Sequence, residues 1–158
     1  SPRLLIADEP TTALDATLEY QLLQLLQELR DLTGASVIVI THDLNMAAEV
    51  CDRIMVMYAG AIVEQAPVQD FFTKPKHPYT VGLLASRPHL AVDEEIPVIP
   101  GNVPDLINRP SGCPFHPRCR WATEICTQQM PAFRPLGPNH FAACHHAEEV
   151  ERDVVAAG

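Results

Sequence analysis

Two short apolar runs, Leu4-Leu5-Ile6-Ala7 and Ser36-Val37-Ile38-Val39-Ile40, constrain this chain more than any other feature, because the segment between them has helical periodicity. Leu18, Leu22, Leu25, Leu26 and Leu29 recur at the spacing of one helix face, with Glu19, Gln24, Gln27 and Glu28 between them. Asp15 suits the N-cap and Gly34 the C-terminal cap, so the spacing predicts an amphipathic helix of about eighteen residues. The flanking runs are short and uncharged, as suits strands covered on both faces in a parallel sheet. Strand, helix, strand then predicts a right-handed crossover and an α/β fold.

The pattern continues to about residue 90. Leu44 to Cys51 reads as a helix, with Cys51 a core thiol beside Met46, Ala47 and Val50. Arg53 to Tyr58 and Ala61 to Gln65 flank Ala59-Gly60 as a hairpin, and Val68 to Thr73 and Tyr79 to Ser86 read as two short helices. Composition then changes. Of fifteen prolines only Pro2 and Pro10 precede residue 67, while nine lie between Pro97 and Pro138, which predicts turns and extended chain there. Cys113, Cys119, Cys126 and Cys144 fall in the same stretch, where so little regular structure is expected that a cross-link is needed. The expected organisation is 1–90, an α/β part; 91–147, a loop-rich cysteine lobe; and 148–158, a frayed tail.

Eleven basic against twenty acidic residues give a net charge of −9, which argues against a nucleic-acid partner. No run of about eighteen uncharged apolar residues occurs, and the start lacks the layout of a secretion signal. Without an initiator Met, and opening almost directly in a strand, the chain reads as a fragment of a longer protein.

Ligands of open α/β sheets bind beyond the carboxyl ends of the strands, and here one strand ends in Asp8-Glu9 and the next in Thr41-His42-Asp43. A carboxylate such as Asp8 suits Mg²⁺ that also holds a nucleotide phosphate. One such as Glu9 can orient or deprotonate an attacking water, and a nearby His can donate a hydrogen bond to the phosphate as charge develops. Either feature alone is an ordinary solvated strand end; together, with Thr12-Ala13-Leu14-Asp15 between them, they are specific.

Leu4 to Asp15 resembles the Walker B motif and D-loop of ABC-type ATPases, and Thr41-His42-Asp43 resembles their switch histidine loop. The resemblance implies the C-terminal half of an ABC nucleotide-binding domain using ATP and Mg²⁺. Asp8 would help hold the Mg²⁺, Glu9 would be the catalytic carboxylate, His42 would sense the γ-phosphate, and Ala13 to Asp15 would face a second ATPase subunit across the nucleotide. Neither G-x-x-x-x-G-K-[ST] nor a Leu-Ser-Gly-Gly-type signature occurs, so these residues alone are expected to be inactive.

A second resemblance narrows the family. Lys74-Pro75-Lys76-His77-Pro78-Tyr79-Thr80, Ile99-Pro100-Gly101-Asn102-Val103-Pro104-Asp105-Leu106 and Gly112-Cys113-Pro114-Phe115-His116-Pro117-Arg118-Cys119 are similar to the C-terminal extension of dipeptide/oligopeptide/nickel transporter ATPases. This implies a peripheral subunit on the cytoplasmic face of the inner membrane, partnered by permease subunits and, indirectly, a substrate-binding protein. His77-Pro78-Tyr79 itself reads as a helix start with an aromatic packing anchor.

The cysteine spacing, C-x5-C-x6-C-x17-C, lacks paired C-x2-C knuckles, and four thiolates suit zinc and an iron–sulfur cluster equally. Disulfides are disfavoured in a reducing cytosol. The family resemblance favours a [4Fe-4S] cluster on Cys113, Cys119, Cys126 and Cys144, zinc being the alternative. Arg118 and Arg120 are expected near the thiolates; His145 and His146, beside Cys144, read as solvated, with substitution as ligands the alternative. Two competing readings are an ABC-type ATPase acting on nucleic acid or in translation, and a stand-alone metal module with a vestigial ATPase half.

Overall fold

The computed structural model describes residues 2–12, 14–87 and 97–157, which fall into two compact units dividing between Cys51 and Asp52. In the first unit β1 (Leu4–Asp8), α1 (Ala16–Thr33), β2 (Ser36–Ile40) and α2 (Leu44–Val50) follow in order. β1 and β2 pair in parallel from Leu4↔Ser36 to Asp8↔Ile40, as the strand–helix–strand pattern requires. The Asp15 carboxylate accepts from the N–H groups of Thr17 and Leu18 at 3.0 and 2.9 Å, satisfying two donors that the first turn of α1 leaves free. Gly34 closes the other end at φ 66°, a left-handed conformation that glycine adopts without strain.

Leu23, Ala35, Met46 and Ala47 form the small core of this unit. Cover on both strand faces is not what the structure shows. Leu4, Ile6, Ile38 and Ile40 are 38–59% exposed and share one face of the pair, since α1 packs against β2 from one side only. The runs are apolar as parallel strands are, but nothing among the described residues covers that face. Cys51 is half-buried at the C-cap of α2 rather than inside a core.

The second unit is built on a sheet of order β3-β4-β6-β5, antiparallel throughout. β3 (Arg53–Tyr58) and β4 (Ala61–Pro67) make the expected hairpin, turned by Ala59 and Gly60 at φ 48° and 75°. α3 (Val68–Thr73) and α4 (Pro78–Ala85) follow, α4 beginning at the proline that occupies its first helical position. Past residue 97 come a 3₁₀ turn (His116–Arg118), α5 (Glu124–Gln128), β5 (Arg134–Gly137), β6 (His140–Ala142) and α6 (Ala147–Ala157).

Two expectations change here. β6 pairs with β4 through Glu64↔Ala142 and Gln65↔Phe141, so the cysteine region extends the hairpin's own sheet. The boundary expected near residue 90 lies outside the described residues. The stretch expected to fray from Glu148 is α6, with Val150 fully buried and Glu151 accepting from Lys76 Nζ at 2.6 Å. Among the described residues no helix is long and apolar enough to cross a membrane.

Candidate functional site

At the carboxyl ends of β1 and β2 the structure brings together Asp8, Glu9 and His42. Asp8 closes β1 opposite Ile40 and is exposed. Glu9 follows at φ 45°, sparsely populated for a residue with a side chain and an outlier of the kind that collects at functional positions. Its N–H donates to the Ile40 carbonyl at 2.9 Å, which carries the ladder one residue beyond the strands. Thr12 Oγ1 donates to Glu9 Oε2 at 3.0 Å, and Glu9 Oε1 lies 3.6 Å from His42 Nδ1, an ion-pair separation rather than a hydrogen bond.

The loop bearing His42 is pinned on both sides. Thr41 Oγ1 accepts from the Asp43 N–H at 3.0 Å, and Asp43 caps α2 by accepting from Asn45 N–H at 2.7 Å and Met46 N–H at 3.2 Å. The imidazole is therefore presented to solvent from a fixed backbone. Asp15 belongs to the cap of α1, and Ala13 lies outside the described residues. Chemically, one end of the strand pair offers an oxygen for a hard cation, a carboxylate acceptor and an imidazole.

In the second unit Cys113, Cys119, Cys126 and Cys144 line one cavity of about 10 Å³, close to the space of a single water-sized sphere. Four separate elements deliver them: the loop after Gly112, the end of the 3₁₀ turn, α5, and the residues following β6. Cys113 N–H donates to the Cys126 carbonyl at 2.8 Å, tying two of these together. Burial, reinforced by the other thiols, pushes Cys119 up to about 11 and Cys144 to about 12. Cys113 is raised for the same reasons, although the N–H groups of Phe115 and His116 oppose the shift. A bound cation would reverse this balance, because thiolates are stabilised by positive charge. Among the described residues no three His, Cys, Asp or Glu side chains converge closely enough to hold a metal ion.

The surroundings differ from expectation in two respects. The Arg118 guanidinium is spent on the carbonyls of Pro100 and Ile99, at 2.7 and 3.2 Å, and on Tyr58 Oη at 3.3 Å; Arg120 stacks on Trp121 and favours the Cys119 thiolate as expected, but more weakly than burial and the other thiols oppose it. His145 and His146 are half-buried and bonded to protein: His145 Nε2 donates to the Gln129 carbonyl at 3.0 Å, and His146 Nε2 lies 2.8 Å from Thr123 Oγ1.

His77 begins α4 as read from the sequence, its Nδ1 accepting from Tyr79 N–H at 3.1 Å, and Tyr79 packs on Tyr58 and Phe115. The His77 ring also walls the cysteine cavity, and burial holds it neutral with a pKa lowered to about 4, the Glu64 charge opposing in part. Sequence reading missed Glu64 and His140, which are buried against each other at 2.7 Å. The available signal was a single carboxylate inside the apolar run from Ala61 to Ala66.

With this geometry in hand, the comparisons with known proteins are specific. Residues 63–126 match the family described as the oligopeptide/dipeptide transporter C-terminal region. A probable peptide ABC transporter ATP-binding protein of Sinorhizobium fredii is 49% identical over 95% of this chain and 45% of its own length. The oligopeptide transport ATP-binding protein OppD of Escherichia coli is 48% identical over 90% of this chain and 42% of its own. The chain thus spans less than half the length of the curated relatives it matches. The solved structure of CbiO1 from Clostridium perfringens, part of the ABC transporter complex CbiONQ, covers 52% of this chain and 33% of its own at 32% identity, with a TM-score of 0.43. That overlap is too partial to support the fold, which rests on the strand pairing above.

An α/β unit ending its strands in Asp8-Glu9 and His42 thus goes with sequence relatives that are ABC-type ATP-binding proteins. Within that class, residues 63–126 match the C-terminal region of oligopeptide/dipeptide transporters, and the chain is similar over nearly all its length to peptide-transporter ATP-binding proteins.

Proposed function

We propose that these residues are part of the energy-coupling ATPase subunit of an ABC importer for peptides or related small solutes. One observation carries the reading: Glu9 and His42 stand 3.6 Å apart at the ends of paired parallel strands, in a chain 48% identical to an oligopeptide transport ATP-binding protein. Asp8 would supply an oxygen to the Mg²⁺ of bound ATP, Glu9 would orient or deprotonate the attacking water, and the His42 imidazole would donate toward the γ-phosphate. Asp15, holding the start of α1, would present the preceding turn to a second ATPase subunit.

In this reading residues 1–90 are the C-terminal part of the ATPase domain and 91–147 its cysteine extension. The sequence contains no G-x-x-x-x-G-K-[ST], so these 158 residues alone are expected neither to bind ATP tightly nor to hydrolyse it. Coupling to membrane permease subunits would hold the subunit at the cytoplasmic face of the inner membrane. A tagged full-length protein is expected to bring permease subunits with it from detergent-solubilised membranes. A stable, ATP-binding preparation that brings none overturns the importer assignment.

Four thiols lining one cavity are the donor chemistry of a thiophilic metal centre, although among the described residues no three side chains converge on a single ion; the family resemblance favours a [4Fe-4S] cluster, whose thiolates bind separate irons, over zinc. Anaerobic preparation is expected to give about four irons per chain with matching sulfide and broad absorption. One zinc per chain would replace the cluster by a structural knuckle, and protein with neither metal would overturn both.

A further inference from the structure

The Glu64 carboxylate is fully buried on β4 and accepts three hydrogen bonds: from Lys76 N–H at 2.8 Å and His140 Nε2 at 2.7 Å on Oε1, and from His77 N–H at 2.9 Å on Oε2. Lys76 and His77 form the turn between α3 and α4, whose His77 and Pro78 are cavity wall. His140 opens β6, the strand that runs into Cys144. A buried carboxylate so satisfied is rigid, whereas one that loses a donor leaves a desolvated charge, so the three bonds stand or fall together.

We propose that Glu64 is the positioning residue of the cysteine cavity, clasping the His77 wall to the strand that delivers Cys144. Among the described residues its hydrogen bonds go to Lys76, His77 and His140 and not to the cysteines, on which it acts through the two segments it joins. The clasp is a property of the chain, and what the cavity binds is a separate matter, so the proposal rests on the cysteine-centre reading only for its purpose.

The test follows the labelling of each cysteine by a thiol reagent in the metal-free full-length protein, read site by site by mass spectrometry. Glu64→Gln keeps the shape of the side chain but turns an amide N–H₂ toward one of the three donors. Cys144 is expected to label about tenfold faster or more, as the loss of a buried charge-assisted hydrogen bond implies. Cys51, in the other compact unit, is expected to keep its wild-type rate. His140→Leu, which removes one donor, should accelerate Cys144 in the same way, and His140→Gln, which restores an N–H, should return it toward wild type. Wild-type labelling of Cys144 in folded Glu64→Gln and His140→Leu overturns the proposal. Equal acceleration of all five cysteines does so too, since it would mean only general loosening. Metal content of the wild-type protein, measured in parallel, judges the cofactor reading independently.

Discussion

Replacing Glu9 by Gln in the full-length protein is expected to leave ATP binding intact and to lower turnover by roughly 10² to 10⁴, the usual worth of a positioned base. The geometry makes this substitution a clean probe. Gln is isosteric, the amide oxygen still accepts from Thr12 Oγ1, and the backbone at φ 45° is held by the Glu9 N–H bond to the Ile40 carbonyl, which the side chain does not enter. What disappears is the capacity to take a proton from water. His42→Ala should also slow the reaction, and the double variant should be little worse than the slower single one, because groups that act as a unit are not additive. Steady-state hydrolysis with a separate measurement of nucleotide affinity distinguishes the outcomes. Unchanged turnover in Glu9→Gln removes Glu9 from the chemistry.

The second large effect is structural. Gly112 sits at φ 68°, and a Cβ there would stand 2.4 Å from the Cys126 carbonyl oxygen and 2.8 Å from the Thr127 carbonyl carbon. Both are backbone atoms and cannot rotate away. Gly112→Ala must therefore push α5 off the loop carrying Cys113, breaking the 2.8 Å bond between Cys113 N–H and Cys126 C=O. Strain and overpacking together are expected to cost roughly 2 to 5 kcal/mol. Gly34→Ala is the control: its φ is 66°, yet nothing lies within 4 Å of the added Cβ, so only the conformational cost of about 1 kcal/mol remains. Trp121, the single tryptophan, reports unfolding of the second unit by fluorescence in denaturant, and circular dichroism of the α1 helix follows the first, which holds Gly34. A wild-type midpoint for Gly112→Ala would show that the close approach at Cys126 is not tight.

Much of the first unit was legible because its signals are local. The leucine spacing of α1, the Asp15 cap and Gly34 are each decided within a turn or two of chain, and all three appear where the sequence places them. Its exposure was not legible: an apolar strand says that something covers it, not whether the cover lies among the same 158 residues. The second unit hid more. β5 contains Pro135, tolerated because this is an edge strand, and β6 is three residues long, so neither has the alternation that identifies a strand. Their reason for forming is the pairing of β6 with β4, some 75 residues away, which no local pattern encodes.

The candidate sites divide in the same way. Asp8, Glu9 and His42 could be read because strand ends gather at a sheet edge, and four cysteines could be read as a group from composition alone. The left-handed backbone of Glu9, the diversion of Arg118 to the Ile99 and Pro100 carbonyls, and the Glu64 clasp depend on contacts between distant segments. Sequence spacing carries no trace of them.

The role proposed for these residues is in a protein whose ATP hydrolysis drives solute import. Its most direct test is ATP turnover by the full-length protein assembled with its permease subunits in lipid vesicles, measured with and without added peptide and binding protein. Hydrolysis is expected to rise when peptide and binding protein are supplied and to fall by roughly 10² to 10⁴ in Glu9→Gln. An assembled complex that hydrolyses no ATP, or one whose turnover responds to nucleic acid and not to peptide, would contradict that role.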